Sequence, residues 1–369
     1  MKKRLLEIIV CPYCKDKFSC KSFSERKTGF SGKYSVDIVE GLLTSKCGRW
    51  YPIVRSVPRV ISDSLRPKIF PGFGDFFRKY GSQIPKSNAG VTEKISADEQ
   101  FKTISGFGYE WTKFSKMHGE YELQFLDWMY PLQPSFFKGK LVMDAGCGTG
   151  RHSMISAKFG AEIVGVDLSE SVEVAAKVTE SIEKAHIIQT DIYKLPFKEG
   201  TFDFVYSIGV IHHLPNPQEG FRSIVSVTRK KGLVYAWVYG REGNILLKIM
   251  DPIRKHVISK LPHFIINVIS LMIMLIVHPI IKLVYGPLNR NSQTRNFAQR
   301  VLPQNAFFYY MSKFNFNINH SILFDQLVAP IANYYTKEEF KKWFTDENLK
   351  DISLTWRNKN SWRGFGVRP

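Results

Sequence analysis

The sequence predicts an α/β chain, with a doubly wound, mostly parallel sheet, a small β-rich module before it and a helical insertion late in the chain. Three observations predict this. From Gly139 onward, short apolar runs alternate with helical patterns, the signature of a parallel sheet covered on both faces. Before residue 62 the chain reads as short strands and turns punctuated by cysteines. Between 241 and 335 a long basic and apolar stretch replaces the alternation.

The bulk numbers fit such a chain. Its 369 residues exceed one compact domain, and 44% hydrophobic with 23% charged residues is a globular composition. The expected units are 1–62 (β-rich module), 63–100 (linker, where Pro, Gly, Ser and Lys become common), 101–240 (sheet), 241–335 (insertion) and 336–369 (closing helix and hairpin). A formal charge of +19 favours an anionic partner: nucleic acid, an anionic membrane surface or a phosphorylated substrate. Five cysteines, an odd number, and an apolar run at 5–10 too short for a secretory signal point to a reducing, cytoplasmic setting without a disulfide framework.

In the N-terminal module, Cys11-Pro12-Tyr13-Cys14 and Cys47-Gly48-Arg49-Trp50-Tyr51-Pro52-Ile53 have the shape of metal knuckles. Metal binding supplies folding free energy to a core too small to fold alone. The segment resembles the small zinc-ribbon family whose eukaryotic members activate tRNA and protein methyltransferases, and which also occurs fused to methyltransferases. The resemblance implies zinc on Cys11, Cys14 and Cys47, but Thr44 stands where the family has a further cysteine. Either Cys20 completes the set, or the module has lost its metal and persists as packed β-structure.

In the sheet region, Leu141-Val142-Met143-Asp144 is a strand ending in Ala145-Gly146-Cys147-Gly148-Thr149-Gly150, with a helix at 151–159 behind it. A second strand ends in Asp167, followed by Leu168-Ser169. A third ends near Asp191-Ile192, a fourth in Ser207-Ile208-Gly209, and a fifth covers 232–238. In such sheets ligands collect at the carboxyl ends of strands where the winding reverses. Glycines let the chain turn sharply and let its amides approach a ligand. An acid at the second strand end suits a ribose diol. The Gly-x-Gly-x-Gly spacing preceded by Asp144 repels a pyrophosphate, unlike a dinucleotide fingerprint, and suits a sulfonium amino acid.

These residues resemble the class I methyltransferase family over about 107–241 plus the C-terminal segment. The motifs are Asp144 to Gly150, Val166-Asp167-Leu168-Ser169, Asp191 before Leu195-Pro196-Phe197, Phe202-Asp203 and Ile211-His212-His213-Leu214. The resemblance implies a seven-stranded sheet and S-adenosylmethionine as cofactor. Asp144, Ala145, Gly146, Cys147, Gly148 and Gly150 would meet the methionine moiety, Asp167 and Leu168 the ribose, Asp191 and Ile192 the adenine, with Ser207 at the fourth strand end. Within Phe107-Gly108-Tyr109-Glu110-Trp111, Tyr109 and Trp111 either face the sulfonium from a lid or dock a helix. His213 either takes a proton from the methyl acceptor or packs; His212 lies on the acceptor side.

The insertion contains a basic helical pattern at 244–261, followed by fourteen uncharged residues at 264–277 and then His278-Pro279. Fourteen fall short of the roughly 20 needed to cross a bilayer. A basic amphipathic helix beside an apolar one suits attachment through 244–285 to the inner face of a membrane, and equally a helical cap over the active site. In the tail, Asp325, Tyr334, Arg357 and Arg363 are acceptor-side candidates. The leading expectation is methyl transfer to a small-molecule, apolar or lipid-linked acceptor. The alternatives are a tRNA or protein methyltransferase, for which no RNA-binding motif stands out, and a non-catalytic cofactor-binding scaffold.

Overall fold

The computed structural model describes residues 1–30, 33–86, 97–114, 116–242 and 247–369. Its N-terminal module holds strands β1 (Ser19–Phe30), β2 (Lys33–Thr44), β3 (Trp50–Val54) and β4 (Val57–Val60). The parallel body holds β5 (Leu141–Ala145), β6 (Glu162–Asp167), β7 (Ala185–Thr190), β8 (Phe202–Ile208) and β9 (Thr228–Tyr239). A closing hairpin, β10 (Lys350–Arg357) and β11 (Ser361–Val367), adds antiparallel to β9. All join in one sheet of eleven strands, ordered β1-β2-β3-β4-β7-β6-β5-β8-β9-β11-β10. The winding reverses between β5 and β8, which opens a crevice at their carboxyl ends.

β5 to β8 are short, apolar and almost wholly buried, as a sheet covered on both faces requires. The helix Lys337–Asp346 that precedes the closing hairpin starts at a capping box: Thr336 accepts from the Glu339 amide and Glu339 from the Thr336 amide.

The N-terminal module is continuous with the sheet. β4 runs parallel to β7 through Arg59↔Gln189 and Val60↔Thr190. Arg59, 1% exposed, crosses this seam: it donates to Gln189 Oε1 at 3.0 Å and pairs with Glu173. A buried guanidinium needs such partners to offset its desolvation.

Three features depart from the sequence expectation. The module's first two strands form a long hairpin of 12 residues each, not short strands. β1 is polar and largely exposed and lacks the apolar alternation that announces a strand, while β2 buries Ile38, Leu42 and Leu43 without a strict two-residue period. Residues 66–83 of the expected linker fold into helical turns, with Leu65, Ile69, Phe73, Phe76 and Tyr80 buried in one cluster. Their spacing is helical, but Pro67, Pro71, Gly72 and Gly74 masked it. Finally, the apolar helix of the insertion does not stop at Pro279. It runs 28 residues from His263 to Arg290, with a π-helical stretch at Ile281–Tyr285 just past the proline.

Candidate active site

The site begins at the turn after β5. Gly146, Gly148 and Gly150 have φ of 87°, 51° and 77°, in the left-handed region that side chains disfavour. Space is equally tight: a Cβ on Gly146 would stand 2.2 Å from Val210 Cγ2, and one on Gly150 2.9 Å from the Ala175 Cα. This turn delivers the chain into the helix Arg151–Lys158.

Beside the turn lies a cleft of about 970 Å³, including its open mouth. Gly146, Cys147, Gly148, Asp167, Leu168, Asp191, Ile192 and His213 all line it. Asp167 Oδ2 accepts from the Gly148 amide at 2.9 Å, and Oδ1 accepts from the Ser169 amide and hydroxyl at 2.8 and 2.7 Å. Burial nonetheless pushes its carboxyl above the ordinary range. Asp191 caps the turn that follows it, accepting from the Tyr193 amide at 3.0 Å. Two carboxylates held by backbone donors, beside the apolar Ile192, Leu214 and Phe107, are a donor set that fits an adenosine: acceptors for hydroxyl and amino groups, and flat walls for a base.

Other expected residues build the cleft without facing it. Asp144 and Ala145 end β5, Gly150 ends the turn, and the Ser207 hydroxyl is spent on the Ala145 carbonyl at 2.8 Å. Asp144 is 1% exposed; Oδ2 accepts from Ser153 at 2.7 Å while Oδ1 has no partner among the described residues. Burial pushes its carboxyl up to about 7, against hydrogen bonds from Ser153 and Tyr206. Tyr109 docks a helix: its ring meets His263 at 5.3 Å and Phe324 at 5.9 Å. On the helix Ala97–Lys113 the residues that reach the cleft are Ile104 and Phe107, one turn apart, and Tyr109 is two residues further around. The Trp111 side chain lies outside the described residues.

A second chamber of about 800 Å³, including its open side, adjoins the cleft, and Arg151, Ile208 and Gly209 line both. Of the acceptor-side candidates, Asp325 and Arg357 line it. Tyr334 instead stacks on Tyr239 at 5.6 Å. Arg363 is held outside by Thr355 and the Asp127 carbonyl, so it ties the hairpin down. His212 is fully buried against Tyr239, with ring centroids 4.1 Å apart, and reaches neither space. His213 Nδ1 lies 2.6 Å from the Ile331 carbonyl, which makes that nitrogen the protonated one. Burial lowers its pKa to about 4, so the ring is neutral at pH 7.

Residues that were not expected complete the chamber: Glu110, Trp128, Arg151, Trp237 and Tyr239. Some signal existed, since Trp237 and Tyr239 share a face of β9 by its two-residue period and Arg151 directly follows the glycine turn. Nothing local marks Trp128 as their neighbour.

In the N-terminal module the sulfurs of Cys11, Cys14 and Cys47 lie within 4.8 Å of one another, Cys11 and Cys47 at 3.7 Å. Tetrahedral zinc, with bonds of about 2.3 Å, spaces its sulfurs at about 3.8 Å, so the cluster fits that metal. Burial opposes ionisation of Cys47, but hydrogen bonds involving Ser45, Arg49 and Cys14 bring its thiol down to about 6. Cys20 stands apart, on β1 opposite Leu43, and does not complete the set.

Comparison with known proteins agrees with this architecture. Residues 143–236 match the family described as a methyltransferase domain, and residues 2–56 the Trm112p-like protein family. The chain is 26% identical over 157 residues to a ubiquinone biosynthesis O-methyltransferase of Bordetella avium, covering 40% of this chain and 64% of that one. It is 30% identical over 148 residues to the protein of the same description from Coxiella burnetii (39% and 63%). To a tRNA U34 carboxymethyltransferase of Proteus mirabilis it is 35% identical over 85 residues (22% and 26%). The chain thus spans less than two thirds of the length of each. It carries a methyltransferase domain, of the S-adenosylmethionine-binding fold, behind a Trm112p-like domain whose cysteine cluster can hold zinc.

Proposed function

We propose that the chain transfers a methyl group from S-adenosylmethionine to an acceptor held in the chamber beside the cleft. The observation that carries this is the single cleft at the switch point, where the glycine turn, Asp167 and Asp191 meet. When bound, S-adenosylmethionine supplies a methyl group on a cationic sulfur, whose bond breaks with its electron pair left on sulfur. The protein's part is to hold and to shield. Asp167 is placed to accept from ribose hydroxyls and Asp191 from the adenine amino group, with Ile192 against the ring. The glycine turn, with no Cβ in the way, leaves room for the amino-acid end, and Phe107 and Ile104 supply apolar wall that keeps water from the donor. Calorimetry with S-adenosylhomocysteine tests this: Asp167→Ala is expected to bind at least about 30-fold more weakly than wild type, some 2 kcal/mol, and equal affinities overturn the reading.

The acceptor we infer is apolar or lipid-linked, met at the cytoplasmic surface of a membrane. The support is one face of the helix His263–Ile280 and its continuation, where Phe264, Val268, Met272, Leu275, Ile276, Ile280 and Leu283 are exposed. The opposite face, with Ile266, Ser270 and Met274, is buried, and Met274 packs in the same cluster as Met311. Exposed Lys255, Lys260, Arg290, Arg295 and Arg300 flank it, which suits anionic headgroups. The protein is expected to float with anionic vesicles and the triple variant Met272→Glu, Ile276→Glu, Leu283→Glu to stay behind; no flotation of wild type overturns this placement. The Trm112p-like match favours a second reading, a tRNA or protein acceptor. That reading predicts steeply salt-dependent RNA binding and no vesicle binding.

A further inference from the structure

The chamber beside the cleft contains two acids that methyl-donor binding does not use. Glu110 comes from the helix Ala97–Lys113 and Asp325 from the helix Phe316–Val328. Both line the chamber, and the charge of Asp325 bears on Glu110, whose Oε1 accepts at 3.4 Å from Ser321, one helical turn before Asp325. Tyr239 donates to Asp325 Oδ2 at 2.9 Å. Around them stand the rings of Trp128, Trp237 and Tyr310.

Polar groups in this chamber are also left without partners. Glu110 Oε2, Gln124 Oε1 and the Trp128 indole N–H make no hydrogen bond among the described residues, although these residues are 0%, 3% and 8% exposed. A buried polar group left without a partner loses its hydration for nothing in return. Three lining one chamber, with both donors and acceptors among them, mark the place of a polar ligand.

We propose that this chamber binds an aromatic acceptor through its hydroxyl, and that Asp325, seconded by Glu110, is the group that takes the hydroxyl proton. This rests on the methyltransferase reading. The acceptor oxygen gains the methyl carbon and loses its proton, which ends on the Asp325 carboxylate, so a neutral ether and a neutral acid result. A hydroxyl is a weak nucleophile unless its proton leaves as the new bond forms, which is why the chamber needs a base.

Charge favours a neutral hydroxyl over a cationic amine. Arg151 lines the same chamber, Arg357 is already paired with Asp127, and burial raises both the Glu110 and Asp325 carboxyls, Glu110 well above its ordinary value. A cationic amine would meet like charge from Arg151 and Arg357 in this lining, which a neutral hydroxyl does not. The aromatic walls supply flat faces for a ring.

The test uses the full chain with S-adenosylhomocysteine and 4-nitrocatechol, a dihydroxy aromatic whose visible spectrum reports its ionisation. Wild type is expected to bind the probe saturably and, at pH 8, to shift the bound probe toward its neutral hydroxyl form, because a carboxylate facing the hydroxyl disfavours the phenolate. Asp325→Asn is expected to abolish that spectral shift and Glu110→Gln to reduce it, each with S-adenosylhomocysteine affinity within twofold of wild type. Trp128→Phe, which keeps the ring and removes the N–H, is expected to weaken the probe about fivefold. An unchanged spectral shift in Asp325→Asn overturns the proposal, and so does wild type that binds S-adenosylhomocysteine but not the probe. Failure to bind S-adenosylhomocysteine would instead overturn the methyltransferase reading.

Discussion

The cleft and the chamber beside it are both lined by carboxylates, yet they treat them in opposite ways. In the cleft, Asp167 and Asp191 take backbone amides from the turns that directly follow them. In the chamber, Glu110 and Asp325 come from helices more than two hundred residues apart in sequence and share a few hydroxyl donors. Local turns satisfy the cleft's acids before any ligand arrives, so the donor site is preorganised. The chamber's polar groups stay partly unmet, so it stores a cost that a ligand relieves.

Asp144 is the acid that strains this contrast, because it lies under the cleft with one oxygen unpartnered. Its folded pKa of about 7 is above the ordinary 3.8, so the folded chain holds the proton more tightly than the unfolded one. The contribution of this group to stability is therefore fully present below about pH 4, falls as pH rises toward 7 and is lost above it, by up to about 4 kcal/mol in all. Glu110 and Asp325, also raised, act in the same direction. Denaturant unfolding at pH 5 and pH 8 measures the fall, and Asp144→Asn is expected to lessen it. If the slope is unchanged, the acid under the cleft is as well solvated as those within it.

A smaller effect separates the two spaces directly. Gly146→Ala places a Cβ against Val210 at a φ of 87°, and is expected to weaken S-adenosylhomocysteine about 100-fold, near 2.7 kcal/mol. Tyr239→Phe removes the donor to Asp325 and is expected to weaken nitrocatechol about threefold while leaving S-adenosylhomocysteine unchanged. Equal losses of both ligands in either variant would merge the cleft and the chamber into one site.

The least effect on either space is expected from the metal. Elemental analysis should find zinc near one per chain, and Cys47→Ser or chelation should lower the unfolding temperature. S-adenosylhomocysteine affinity should stay within twofold, since the sulfurs of Cys11, Cys14 and Cys47 lie outside both lining sets. A larger loss would mean that the seam between β4 and β7 transmits strain to Asp191, the residue directly after β7.

The cleft was legible in the sequence because its parts are local. A strand end, its glycines and the acid after the next strand are each set by neighbours a few residues away, so Gly146, Gly148, Asp167 and Asp191 could be placed from their order alone. Ser207, His212, Tyr334 and Arg363 reach neither space, and Tyr109 follows the helix-docking alternative, for a different reason. Which way a side chain points depends on its phase along a helix or strand and on what packs there, and Tyr109 met Phe324 of the helical insertion, whose packing no local pattern sets.

What the sequence determined by itself is the donor half of the protein: alternating strands and helices, three left-handed glycines and acids at strand ends follow from backbone sterics and periodicity. The tertiary structure alone decided the joining of β4 to β7, the run of the apolar helix beyond Pro279 and the meeting of Glu110 with Asp325. These are contacts between segments far apart in the chain, selected by burial and shape across the whole fold, and no local pattern encodes them.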